Sequence, residues 1–273
     1  MIIGFLGKGG SGKSTLATQM VRYLHARGDT VLAIDADHNM DLAYNLGHSQ
    51  EGPYLAGSLK SMYAYAKLPE ASTWQDVLMR EGISFSLSPL DPFTSERSYE
   101  LAPNLRLMMT GPQTENVLHD ISCSHGLGRS LNAYLPLLSL KSGESVIVDE
   151  KASVDAVSTG IPTGFDMAVV CVEPRSASAR VGKQIADSLE WYGVPYIVAL
   201  NKSRSAEDMH MVEAAFGRAA EVVVANLDDP IADIDAVACE KIIAHGSNYV
   251  GGERLARSQK KLARNQEFAA ATA

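Results

Sequence analysis

Residues 4–19 read GFLGKGGSGKSTLATQ, an apolar run that enters a glycine-rich loop and leaves it as an amphipathic stretch. Gly7, Gly12, Lys13 and Ser14 occupy the fixed positions of G-x-x-x-x-G-K-[ST], a spacing that works only between a buried strand and the start of a helix. The glycines let backbone N–H groups turn inward on a phosphate chain, and the helix N-terminus adds its dipole. The spacing assigns Gly9, Gly10, Ser11 and Gly12 to the backbone cradle and Lys13 to the charge of the β- and γ-phosphates. Ser14 falls to Mg²⁺ and Thr15 to the α-phosphate. The alternative is a tight strand-to-helix turn with no ligand.

The rest of the 273 residues fits a chain built around such a loop. Short apolar runs at 2–6, 30–34, 83–87, 105–109, 145–148, 167–172, 195–200 and 221–225 read as strands. Longer amphipathic stretches at 13–27, 127–140, 176–192, 206–217 and from about 231 onward read as helices. This alternation predicts an α/β fold, doubly wound around a mostly parallel sheet, forming one domain over 1–273. Residues 50–104, rich in Pro, Ser and Tyr, are expected to form an irregular helical insertion at the sheet edge.

Charge and cysteine content narrow the partners. With 24 basic and 32 acidic residues the net charge is −8, which disfavours nucleic-acid binding through general electrostatics. Cys123, Cys171 and Cys239 are widely spaced and odd in number, so no disulfide framework is expected and a reducing compartment fits. The opening MIIGFLG runs directly into the loop and reads as a buried strand rather than a signal peptide. No stretch approaches the roughly 20 apolar residues of a membrane span, and the expected location is the cytoplasm.

A second lysine, Lys8, stands at the front of the same loop. KGGSGKS resembles the deviant phosphate loop of the ATPase family that contains the MinD, ParA and nitrogenase iron proteins, a SIMIBI-like branch of the P-loop NTPases. The resemblance implies that Lys8 crosses a homodimer interface to the partner's nucleotide, as a cation delivered to the transferring phosphoryl group. A solvated surface lysine is the other reading. Strand two ends in AIDADHNMD (33–41), where the family pattern implies that Asp37 orients the attacking water and Asp41 lies near Mg²⁺. Asp37 as a plain helix cap is the competing reading. SVIVDEKAS (145–153) delivers Asp149, an acid of Walker-B type for the Mg²⁺ shell.

The chain departs from its relatives just beyond that acid. Metal-insertion ATPases carry D-x-E-A-G here, whereas this sequence has Asp149-Glu150-Lys151-Ala152-Ser153. Serine keeps the N–H that would sense the γ-phosphate but loses freedom at φ, which points to slow hydrolysis or altered switching. In IVALNKS, Asn201 matches the position that holds the purine in relatives, with Lys202 flanking it. ANLDDP (225–230) resembles their base-closing loop, although Asn at a strand end is also a common turn residue.

Across most of its length the sequence is similar to CooC-type ATPases, which insert nickel during maturation of carbon monoxide dehydrogenase. That resemblance implies an ATP-dependent, dimerising metallochaperone with a client metalloenzyme. Where those relatives carry C-x-C, this chain has Cys123-Ser124-His125. Two copies would give a Cys₂His₂ set suited to Zn²⁺ or Ni²⁺, and a buried cysteine beside a capping histidine stands as the alternative. A MinD- or ParA-like positioning switch is the rival function. An electron-transfer role like that of nitrogenase iron protein needs two cluster cysteines per subunit, and only Cys123 is well placed.

Overall fold

The computed structural model describes residues 1–113, 115, 119, 128–227 and 229–272. Cys123 and His125 lie outside the described residues, as does Asp228 of the expected base loop.

From the N-terminus the elements are β1 (Ile2–Gly7), α1 (Lys13–Ala26), β2 (Thr30–Asp35), α2 (Asp41–Asn45), α3 (Leu59–Tyr65), α4 (Trp74–Leu78), β3 (Phe85–Ser86), α5 (Pro92–Arg97), β4 (Tyr99–Ala102) and β5 (Leu105–Met109). The chain continues through α6 (Leu131–Leu137), β6 (Leu138–Ser139), β7 (Glu144–Ala152), α7 (Asp155–Ser158), β8 (Met167–Val172) and α8 (Ser176–Tyr192). It ends with β9 (Tyr196–Leu200), α9 (Ala206–Phe216), β10 (Val222–Val223), α10 (Ala236–Gly246) and α11 (Arg254–Thr272).

Eight strands form the main sheet in the order β10-β9-β8-β1-β7-β2-β5-β4. Every neighbouring pair is parallel except β4 with β5. Strand order reverses around β1, so the loops after β1, β2 and β7 open together at the carboxyl end of the sheet, the crevice where α/β sheets bind ligands. The strands are apolar throughout because both faces are covered. Ile2 and Leu6 pack with Leu131 and Tyr134 of α6 and with Ile185 and Leu189 of α8. The alternate residues Ile3 and Phe5 pack with Leu16 and Met20 of α1 and with Ile242 of α10.

Several expected boundaries shift, each for a local reason. Of the strand expected at 83–87 only Phe85–Ser86 pairs, and it pairs with β6 in a separate two-stranded sheet. The helix expected at 127–140 is described over Leu131–Leu137 and turns extended at Leu138; Pro136 in its last turn lacks the N–H that would bond back to the turn before it, which weakens the helix end. The stretch from 231 onward is not one helix. Gly251 and Gly252 interrupt it between α10 and α11, with Gly251 at φ +74°. Besides helices, the segment 50–104 carries the antiparallel edge strand β4, set by its pairing with β5 and not by a run of strong strand formers.

Helix α11 is docked at its start. Arg254 donates to both carboxylate oxygens of buried Asp166 at 3.0 and 2.8 Å. Asp166 in turn accepts the Ile2 N–H at 2.7 Å. Ser258 meets Thr163 at 2.8 Å, and beyond Leu262 the helix is exposed. No helix among the described residues is long and apolar enough to cross a membrane.

Candidate nucleotide site

The loop after β1 is closed by its own backbone and fastened from the end of β9. Ser11 N–H donates to the Lys8 carbonyl at 3.0 Å. Gly12, which begins α1, stands at φ +89°, and a Cβ on it would lie 2.0 Å from Asn201 Nδ2. Only glycine satisfies both conditions. Asn201 Nδ2 donates to the Ser11 carbonyl at 3.0 Å, and its Oδ1 accepts the Lys202 N–H at 2.9 Å. Lys202 Nζ reaches back to the Gly10 carbonyl at 2.5 Å and lies 3.4 Å from Glu173.

Lys13 sits where three elements meet. Its Nζ lies 3.4 Å from Asp37, 3.3 Å from Asp149 and 3.2 Å from Ser14 Oγ. Burial works against the lysine charge, yet Asp149 and Asp37 outweigh it and hold the ammonium above the ordinary lysine value. Burial pushes the Asp149 carboxyl up to about 6, against the pull of Lys13. Asp37 caps the turn that follows it, accepting the Asn39 N–H at 3.2 Å. Behind this group, burial and the charge of Asp149 raise Asp35 to about 8, with the N–H groups of Ala43 and Asp37 pulling the other way. Burial likewise raises Glu150 to about 8, and it falls on the opposite face of β7 from Asp149 by strand alternation.

Lys13 and Asp37 border a cleft of about 610 Å³, within the usual range for a small-molecule site. Gly9, Gly10, Gly12, Lys13, Ser14 and Thr15 form its floor, and Asp37 and Asp41 its near wall. Asn201, Lys202 and the loop through Ala225, Leu227 and Ile231 form its far wall. The structure therefore gathers the residues of four separated segments into one site. Buried Ser11 faces away from the cleft, its hydroxyl close behind Gly7. Lys8 is half-buried and does not line this cleft, and its side chain makes no hydrogen bond or ion pair among the described residues.

The donor set suits a hydrated hard cation. Ser14 Oγ stands at the mouth of the loop, and the buried Oδ2 of Asp149 has no hydrogen-bond partner among the described residues. Mg²⁺ accepts such a set because it keeps most of its waters.

Two further groups shape the site without a motif to announce them. Gln19, buried on α1, donates to the Pro230 carbonyl at 2.8 Å and accepts the Asp235 N–H at 3.2 Å. Arg22, one turn on, donates to the carbonyls of Ile231 and Asn45. The signal for Gln19 was a polar residue amid Leu16, Ala17 and Met20 on the apolar stripe of the helix. Beyond β7, Ser153 stands at φ +83°, and its N–H donates to the Gly7 carbonyl at 2.9 Å. A non-glycine residue in that region is strained by about 1–2 kcal/mol.

A family model described as the CobQ/CobB/MinD/ParA nucleotide binding domain matches residues 2–267. An uncharacterized ATP-binding protein of Methanocaldococcus jannaschii is 30% identical over 209 residues, covering 74% of this chain and 78% of that protein. The carbon monoxide dehydrogenase accessory protein CooC of Rhodospirillum rubrum is 27% identical over 213 residues, covering 78% of each. Among solved structures, the septum site-determining protein MinD of Pyrococcus horikoshii, complexed with Mg-ADP, superimposes with a TM-score of 0.56. The two are 17% identical, with 96% of each chain covered. The phosphate loop, the sheet order and the match over nearly the whole chain agree: this protein belongs to the CobQ/CobB/MinD/ParA family of P-loop nucleotide-binding domains.

Proposed function

We propose that the chain hydrolyses ATP between two copies of itself and that this cycle serves the maturation of a client metalloenzyme. The observation that carries the hydrolytic part is the sharing of Lys13 Nζ, on the cleft floor, by Asp37 and the buried Asp149. A triphosphate entering the loop competes with both carboxylates for that ammonium. Asp37, once freed from Lys13, accepts a hydrogen bond from the attacking water and aligns it on the γ-phosphorus. The bond from the γ-phosphorus to the bridging oxygen then breaks, leaving ADP and phosphate. Ser14 and Asp149, with Asp41 nearby, would hold Mg²⁺, which when bound offsets phosphate charge. Asn201 retains one Nδ2 hydrogen for a purine, and Lys202 closes the far wall.

Lys8 has no task in its own cleft, and its chemistry suits the phosphates of a partner's nucleotide. ATP would then hold a homodimer together. The maturation role rests on the likeness to CooC, with Cys123 and His125 from two copies as the set for Zn²⁺ or Ni²⁺. The buried free thiols Cys171 and Cys239 suit a reducing cytoplasm. A positioning switch of the MinD or ParA kind is the second reading, favoured by the shared fold.

The test pairs hydrolysis with elemental analysis. Wild type should release phosphate from Mg-ATP and, with a non-hydrolysable analogue, hold about one Zn²⁺ or Ni²⁺ per dimer. Cys123→Ser and His125→Ala should each lose the metal and keep hydrolysis. No phosphate release would contradict the enzymatic reading, whereas hydrolysis without metal in any sample would favour the switch.

A further inference from the structure

A second cavity, of about 470 Å³, opens away from the nucleotide cleft between α3, α4, α6, the end of α7 and α11. Its walls carry two cations, Arg129 and Lys261, and among the described residues that line it none is acidic. Lys261 is placed with some care. Its Nζ lies over Gly160, where a Cβ would come within 2.0 Å of it, and 5.0 Å from the centre of the Tyr192 ring. Gly160 stands at φ +87°, a second reason for the absent side chain.

Lys261 makes no ion pair among the described residues. Burial lowers its ammonium to about 8. Lys261, half-buried, shares this cavity with a second cation and no carboxylate, although its other side meets Tyr192 in a groove that carries Glu190 and Glu253. An anion bound in the cavity would offset the paired charge. The remaining wall is mixed. Trp74, Tyr63 and Leu262 supply apolar surface, while Asn132, Ser158 and Thr159 supply hydrogen-bonding groups. The volume and this blend fit a small organic ligand rather than a bare ion.

Ser158 and Thr159 also tie the cavity to the nucleotide. Ser158 ends α7 and Thr159 follows it; α7 begins two residues after Ser153, whose N–H donates to the Gly7 carbonyl of the phosphate loop. We infer that this cavity binds a small organic anion, a carboxylate or phosphate monoester on an apolar body, and that its occupancy is coupled through α7 to the nucleotide cleft. Because such coupling is reciprocal, the ligand and ATP alter each other's affinity by the same factor.

Trp74 provides the reporter, since the chain has two tryptophans and Trp191→Phe leaves Trp74 alone. Phenyl phosphate added to that variant should change Trp74 emission saturably, with benzyl alcohol and inorganic phosphate as the neutral and the bare-ion probes. Affinity for phenyl phosphate should fall at least tenfold in Lys261→Met and in Arg129→Gln. Arg129 is exposed, so its replacement leaves the fold out of the question. A non-hydrolysable ATP analogue should leave the probe bound and shift its affinity severalfold. Equal response to benzyl alcohol, equal affinity in Arg129→Gln, displacement by the analogue, or an affinity indifferent to it would overturn the inference.

Discussion

Two loops flank Gly7, one running into α1 and the other leaving β7, and they meet the same backbone demand with different residues. The first places Gly12 at φ +89°, where glycine is unstrained. The second places Ser153 at φ +83°, where serine is strained. The first is also fastened from three sides, by Asn201, by Lys202 and by its own turn. The Ser153 backbone is held by its N–H on the Gly7 carbonyl and by its own carbonyl, which accepts the Ala156 N–H at 3.3 Å. The contrast is that of a preformed cradle beside a segment that stores strain. Binding should be governed by the first, and turnover and switching by the second together with the carboxylates.

If that division is right, the largest effect belongs to the cradle. Lys13→Ala should weaken ATP binding on the order of 100-fold, the scale of a lost charge-assisted contact. Titration of a fluorescent ATP analogue measures it, and an affinity within a fewfold of wild type would break the comparison. Asp37→Ala should do the opposite, keeping or improving affinity while lowering phosphate release about 100-fold or more. Parallel loss of binding in this variant would mean that Asp37 builds the site instead of acting in it.

Smaller effects sharpen the picture. Gln19→Ala removes the tether between α1 and the loop at Pro230, and nucleotide affinity should drop about fivefold, the worth of one net hydrogen bond. No change would show that Arg22 alone holds the loop. Ser153→Gly relieves a left-handed serine, so stability should rise by about 0.5–1 kcal/mol and Tm by about 2 °C. A lower Tm would mean that the serine side chain contributes more than its backbone costs.

How much of this was legible in the sequence depends on distance along the chain. The cradle was legible because its parts lie within nine residues, and Asp37 and Asp149 because each follows closely on an apolar run that reads as a strand. The sheet class followed from the same runs. Asn201 was legible as a strand-end residue, but its grip on Ser11 spans 190 positions and carries no local pattern. The contact of Gln19 with Pro230 spans 211, and that of Lys202 with Glu173 depends on two neighbouring strands ending together. Strand β4 was missed because pairing with β5, and not its own composition, makes it a strand. Ser153 is the exception: a serine where the metal-insertion ATPases carry glycine signals lost freedom at φ, and the residue stands at φ +83°.

The central claim is that Lys8 serves the nucleotide of a second copy. Its side chain stands outside its own cleft and without a partner among the described residues, so the claim can be tested by mass alone. Light scattering with a non-hydrolysable ATP analogue should give twice the monomer mass for wild type. Lys8→Ala should still bind the analogue, because its own cradle is intact, yet remain a monomer. A Lys8→Ala protein that dimerises as wild type does, and hydrolyses ATP at the same rate, would contradict the account.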